Sequence, residues 1–158
     1  MEWLIICLLL NFDPSAVATD TLYGTYLIPK EQIRLNLSPP NNYTMFMTEY
    51  NQRSEAVNSQ ELSRGQFSLV ADTVILEDAT TGKAMKLLAA NEEKLHPINV
   101  PSLDKGEKFL GQNQYYANGK LKWEGTWRKG KKHGTWIYYD ELGDVINSVR
   151  YKRGKKIE

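Results

Sequence analysis

Cysteine is almost absent from this chain of 158 residues, and the one thiol, Cys7, falls within the first ten positions. A mature chain that has shed those positions can form no disulfide, no thiol nucleophile and no thiolate metal site, so its stability comes from packing alone. Histidine is nearly as scarce. His96 and His133 are the two present, and neither has a second ligand at helical or hairpin spacing. Glu92-Glu93-Lys94-Leu95-His96 therefore reads as a surface charge cluster and not as a metal or acid–base site. No serine sits in a nucleophile elbow and no glycine-rich phosphate loop is present. The chain shows no catalytic apparatus, and neither an enzyme activity nor a cofactor is expected.

Long hydrophobic runs are missing too. The longest, Trp3 to Leu10, has about half of the ~20 apolar residues that a membrane span needs. It is followed by Asp13-Pro14 and by Ala16-Val17-Ala18, a small-x-small site of the kind signal peptidase cleaves. Residues 1–18 read as a secretory signal cut after Ala18, with a retained anchor or a buried N-terminal segment as the competing readings. A lipoprotein signal at Leu4-Ile5-Ile6-Cys7 lacks the small residues expected before the cysteine. The expected location is secreted, periplasmic or elsewhere in the cell envelope.

What is present is an ordinary globular composition, 41% hydrophobic and 25% charged, enough to bury a core. Charge divides the chain. Residues 105–158 carry 13 Lys/Arg against 6 Asp/Glu, whereas residues 19–104 carry 7 against 11. Two electrostatically different halves follow, with a boundary expected within Ser102–Gly106.

The first half is written in short alternating segments. Leu22–Ile28, Ile33–Leu37, Tyr43–Tyr50, Gln66–Val70, Thr73–Glu77 and Lys83–Ala89 read as strands, with Ser38-Pro39-Pro40-Asn41-Asn42 and Asp78-Ala79-Thr80-Thr81-Gly82 as turns. Tyr43, Met45 and Met47 are expected on one face and Thr44, Phe46 and Thr48 on the other. Asn51–Ser63 reads as a polar crossing segment with a short helical turn at Ser59–Leu62. Leu95–Val100 reads as an edge or an exit, marked by Pro97 within it and Pro101 after it. An antiparallel meander or small half-barrel over 21–100 is the prediction. On Gly65-Gln66-Phe67 followed by Asp72-Thr73-Val74-Ile75-Leu76, this half resembles small lipocalin-like domains of bacterial envelope proteins. That resemblance implies an up-and-down barrel, which either encloses a small apolar ligand or is filled by its own side chains; a ligand carrier requires a closed apolar cavity among Leu35, Met45, Phe67 and Ile75.

The second half repeats itself. Gly119 and Gly143, Trp127 and Tyr151, and Gly130 and Gly154 are each 24 positions apart, a period that means stacked supersecondary units. Lys120–Trp127 alternates strictly, with Trp123, Gly125 and Trp127 on one face, and Gly125-Thr126-Trp127 recurs as Gly134-Thr135-Trp136. A glycine between two tryptophans predicts an aromatic ring from the neighbouring strand lying on its backbone. Tyr115-Tyr116, Asn118-Gly119-Lys120 and the two Gly-Thr-Trp segments, with Tyr138 and Gly143, resemble the bacterial variant of the MORN repeat over residues 115–158. The resemblance implies β-hairpin repeats over 107–158 that act as structural and binding elements, toward proteins or phospholipid head groups, and in some bacterial members an antitoxin-like role.

All-β architecture and non-enzymatic binding or scaffolding are the expectations. Trp123, Trp127, Trp136 and Tyr138 are expected to form a packed platform. Arg128, Lys129, Lys131, Lys132 and His133 at one hairpin tip, with Lys152, Arg153 and Lys155 at the next, are the candidate contacts to an acidic protein or an anionic lipid surface. A small apolar ligand carrier built on the first half and an antitoxin-like protein are the alternatives. Nucleic acid is not an expected partner, since basic residues with interleaved aromatics form no recognition motif here.

Overall fold

The computed structural model describes residues 19–30, 32–53, 55–99 and 107–157. The predicted signal, residues 1–18, and the predicted boundary at Ser102–Gly106 lie outside them. After a 3-10 turn at Thr19–Leu22, twelve strands follow in chain order: β1 Gly24–Ile28, β2 Ile33–Ser38, β3 Asn42–Tyr50, β4 Ala56–Val70, β5 Thr73–Asp78, β6 Ala84–Asn91, β7 Lys94–Pro97, β8 Phe109–Tyr115, β9 Leu121–Arg128, β10 Lys131–Tyr139, β11 Val145–Lys152 and β12 Lys155–Lys156. The fold is all-β. Each strand pairs with its sequence neighbours, and one additional pairing, β1 with β8, closes the first eight into an antiparallel barrel. The sheet thus goes beyond the half-barrel of the sequence reading, and its closing strand comes from the segment that reading assigned to the repeats.

Period-2 alternation builds the barrel interior. Tyr26, Leu35 and Met45 lie side by side across β1, β2 and β3, and Leu37 lies beside Tyr43. Phe67 faces Leu76 and Val74 faces Leu87 across the next strands. All of these are buried in one cluster with Ile28, Ala89, Leu95 and Phe109. At the closing seam, a Cβ on Gly24 would come within 2.3 Å of the Asn113 carbonyl oxygen, so only glycine lets β1 and β8 pair this closely.

Three sequence expectations are corrected. The polar crossing with a helical turn does not form: residues 56–63 are the first half of β4, a strand of 15 residues. This stretch is exposed on both faces and pairs with β3 through its backbone, so no apolar periodicity marks it. The face assignment in β3 reverses midway. Thr48 is buried where Met47 is half-buried, beyond a register shift at which Leu62 of β4 is left unpaired between the partners of Met45 and Phe46. Likewise, β7 is no edge, because it pairs with both β6 and β8.

The β5–β6 turn holds a carboxylate that ties three strands. Asp78 accepts hydrogen bonds from the Ser63 hydroxyl (2.6 Å), the Thr81 amide (2.6 Å) and hydroxyl (2.9 Å), and the Thr80 amide (3.0 Å). Ser63 in turn meets the Tyr43 hydroxyl at 2.7 Å. The Ser63 bond, then the Thr81 bonds, hold the Asp78 carboxyl down to about 2 from its ordinary 3.8. A depressed carboxyl contributes stability that is present above its unfolded value and is lost as pH falls through the folded one. Asp78→Asn is therefore expected to be less stable than the parent at neutral pH. The gap should close as pH falls from about 4 to about 2, which urea midpoints taken across that range measure.

Candidate functional site

Strand β8 carries the repeats on the barrel by sharing one edge. Leu110 and Phe109 pair with β7, while Asn113, Gln114 and Tyr115 pair with β9. Where the edge changes partner, the Trp127 indole donates to the Gly111 carbonyl at 2.6 Å. Gln114, fully buried, accepts from the Trp123 indole at 2.6 Å and donates to the Glu92 carbonyl at 3.4 Å. Buried polar groups need such partners.

Above this junction the aromatic residues interlock. Trp136 is fully buried, stacked on Trp123 with centroids 5.0 Å apart and edge-on to Trp127 at 5.2 Å. A Cβ on Gly125 would lie 2.2 Å from the Trp136 ring, so the glycine notch is filled by that indole as the alternation implies. The tyrosine that meets Trp136 edge-on is Tyr151, at 6.2 Å. Tyr138, which the sequence reading placed in this platform, pairs with Trp123 across the sheet. Its hydroxyl is pushed up to about 12, by burial first and then by Tyr151 and Glu93.

The 24-residue period is visible in the backbone. Gly119 and Gly143 both have positive φ, as do Lys129 and Arg153, and Gly130 and Gly154. The hydrogen bonds Tyr116 N to Lys120 O (2.8 Å) and Gly119 N to Tyr116 O (2.9 Å) recur as Asp140 N to Asp144 O (2.9 Å) and Gly143 N to Asp140 O (3.0 Å). These two turns lie side by side, the Asn118 side-chain amide donating to the Glu141 carbonyl at 3.1 Å. On one side of the sheet the Gly154 amide donates to the Lys132 carbonyl at 2.8 Å, and Gly154 packs on the Lys131 side chain.

This geometry sorts the candidate cations. Arg128, Lys129, Lys131, Lys152, Arg153, Lys155 and Lys156 are exposed and occupy the two adjacent tips as one ridge. Lys132 does not join them. Its ammonium lies 4.0 Å from the Trp136 ring centroid and 5.4 Å from that of Tyr151, and it pairs with Glu93 at 2.5 Å. It is a packing residue that spans the two halves, as is Lys122, paired with Glu92 at 3.2 Å. His133 is half-buried, its carbonyl accepting from the Thr126 hydroxyl at 2.6 Å. Gly134 has positive φ in the β10 irregularity that brings Trp136 over Gly125.

A cleft beside the ridge escaped the sequence reading. Pro29 and Lys30 from the β1–β2 turn, Lys94 from β7, and Glu107 and Lys108 ahead of β8 face Lys129, Gly130 and Lys131 across a floor of Leu110 and Trp127. These residues come from four separate stretches, so no local pattern reveals it. Among the described residues there is no group of three or more His, Cys, Asp or Glu able to hold a metal ion.

The interlocked platform and the buried lysine make separable predictions. Gly125→Ala drives a methyl into the Trp136 ring and is expected to cost about 2–3 kcal/mol in urea unfolding, the range of an overpacked core. Lys132→Ala is expected to cost about 2 kcal/mol through the lost ring contact and the unpaired Glu93, whereas Lys131→Ala, at the exposed tip, should change stability by less than about 0.5 kcal/mol. Compared with models of protein families, with curated proteins and with solved structures, the chain finds no match in any of the three.

Proposed function

We propose that this chain is a non-enzymatic binding protein whose MORN-like hairpins present a ridge of cations to an acidic surface, in the cell envelope or outside the cell. The stacking of the two basic tips, fixed by the Gly154 to Lys132 hydrogen bond, carries this reading. No Asp or Glu falls within residues 125–139 or 145–157, so the ridge has a single sign. The location rests on the leader-like pattern of residues 1–18, and the MORN-like assignment draws support from the 24-residue repetition of the turns.

Conformational cost at the tips points the same way. Lys129 and Arg153 hold φ of 53° and 54° ahead of glycines that also have positive φ, a turn in which asparagine or glycine is the favoured first residue. A left-handed residue other than Gly or Asn costs roughly 1 kcal/mol, and the chain places a cation there twice. Each Lys or Arg near an anionic bilayer contributes on the order of 1 kcal/mol, screened by salt. A lipid leaflet is the simplest surface of this kind and an acidic protein face is the other. The apolar-carrier reading gains nothing from the core, where Leu35, Met45 and Phe67 are buried against neighbouring side chains and Ile75 points to the opposite face from Val74 and Leu76.

Lys129→Asn with Arg153→Asn removes two charges while relieving both turns. The double variant is expected to be slightly more stable than the parent and to bind phosphatidylglycerol vesicles at least tenfold more weakly. Parent binding should fall steeply as salt rises from about 50 to 300 mM. Co-sedimentation reads both effects, and vesicle binding indifferent to salt and to the two substitutions would refute the ridge.

A further inference from the structure

The cleft between the barrel rim and the first hairpin tip is a second cationic feature, and it has the shape that the ridge lacks. Its volume is about 550 Å³, within the range of small-molecule sites. Five lysines line it, Lys30, Lys94, Lys108, Lys129 and Lys131, against one acidic residue, Glu107. That carboxylate pairs with Lys30 at 3.4 Å. Among the described residues Lys108, Lys129 and Lys131 make no ion pair, and Lys94 rests over Trp127 with its ammonium 5.2 Å from the ring centroid. The floor is different in kind. Leu110 and the Trp127 ring offer an apolar surface, and the Trp127 nitrogen is already committed to the Gly111 carbonyl.

We propose that this cleft binds a phosphate monoester, with the phosphoryl oxygens among the lysine ammoniums and the ester's carbon body on Trp127 and Leu110. Converging lysines favour a dianion with three free oxygens over a carboxylate, because each ammonium is a point charge with three donors and no fixed fork. Folding positions the parts: the barrel supplies Lys30, Lys94 and Lys108, the hairpin supplies Lys129 and Lys131, and the shared strand β8 holds the two sets face to face. His96 records the same field. Burial, then Lys108 and Lys94, hold its imidazole below the ordinary histidine value, so a dianion bound between those two lysines raises it.

The cleft shares Lys129 and Lys131 with the ridge, whereas Lys30, Lys94, Lys108 and Trp127 belong to the cleft alone. Phenyl phosphate is the probe, titrated calorimetrically into the full chain, with His96 followed by NMR. The parent is expected to bind saturably with a Kd below about 1 mM and to show an upward shift of the His96 titration. Lys94→Ala with Lys108→Ala should weaken binding at least tenfold, and Lys152→Ala with Lys155→Ala, on the ridge alone, should leave it within twofold. Lys108→Gln, at an exposed position, keeps the test decisive should loss of Lys94 loosen Trp127. Vesicles separate the sources of the ester. A preference for phosphatidic acid over phosphatidylglycerol that vanishes in the Lys94 and Lys108 variant assigns a lipid head group, and binding of the soluble ester without that preference assigns a free phosphate ester. Absence of saturable phenyl phosphate binding up to about 10 mM, or equal weakening by the cleft and ridge variants, overturns the proposal.

Discussion

Strand β8 has a single hydrogen-bonding edge to divide between β7 and β9, and that division is the constraint from which the molecule's form follows. Its other edge closes the barrel on β1. A strand that pairs on three fronts leaves unpaired backbone where its partners change, and unpaired backbone in a protected place is costly. The Trp127 indole covers that point by bonding the Gly111 carbonyl, and the Trp123 indole satisfies the buried Gln114 beside it. The tryptophans are therefore polar fasteners as well as apolar filling.

Electrostatics follows the same seam. The β6–β7 turn brings Glu92 and Glu93 to Lys122 and Lys132, partners 30 and 39 residues away in the chain. Lys132 is desolvated by aromatic rings and charge-matched by Glu93, a setting in which a cation contributes to packing. Its neighbour Lys131 points away, because successive residues of a strand face opposite sides. One dipeptide thus supplies a structural lysine and a surface lysine. The cations left outside gather on one side of the sheet because the turns stack at a constant 24-residue interval.

Much of this was legible in the residues. Alternation at Ile33–Leu37 and Thr73–Glu77 marked strands with one buried face, and Gly125 between two tryptophans marked the seat of a ring. These are local signals, in which side-chain direction follows from period 2. Other features left no such trace. The first half of β4 is solvated on both faces and reads as loop, β3 buries Thr48 in place of Met47 beyond its register shift against β4, and the lysine cleft draws on four stretches that are adjacent only after closure.

By itself the sequence determined the all-β character, the hairpin repeat and the glycine-notched aromatic platform, because strand alternation and turn conformation are set by residues within a few positions of one another. The tertiary structure alone decided that the barrel closes, that β8 serves both halves, and which lysines face inward, outward or into a cleft. Those outcomes depend on which edges and charges meet across tens of residues, and only the completed sheet brings them within bonding distance.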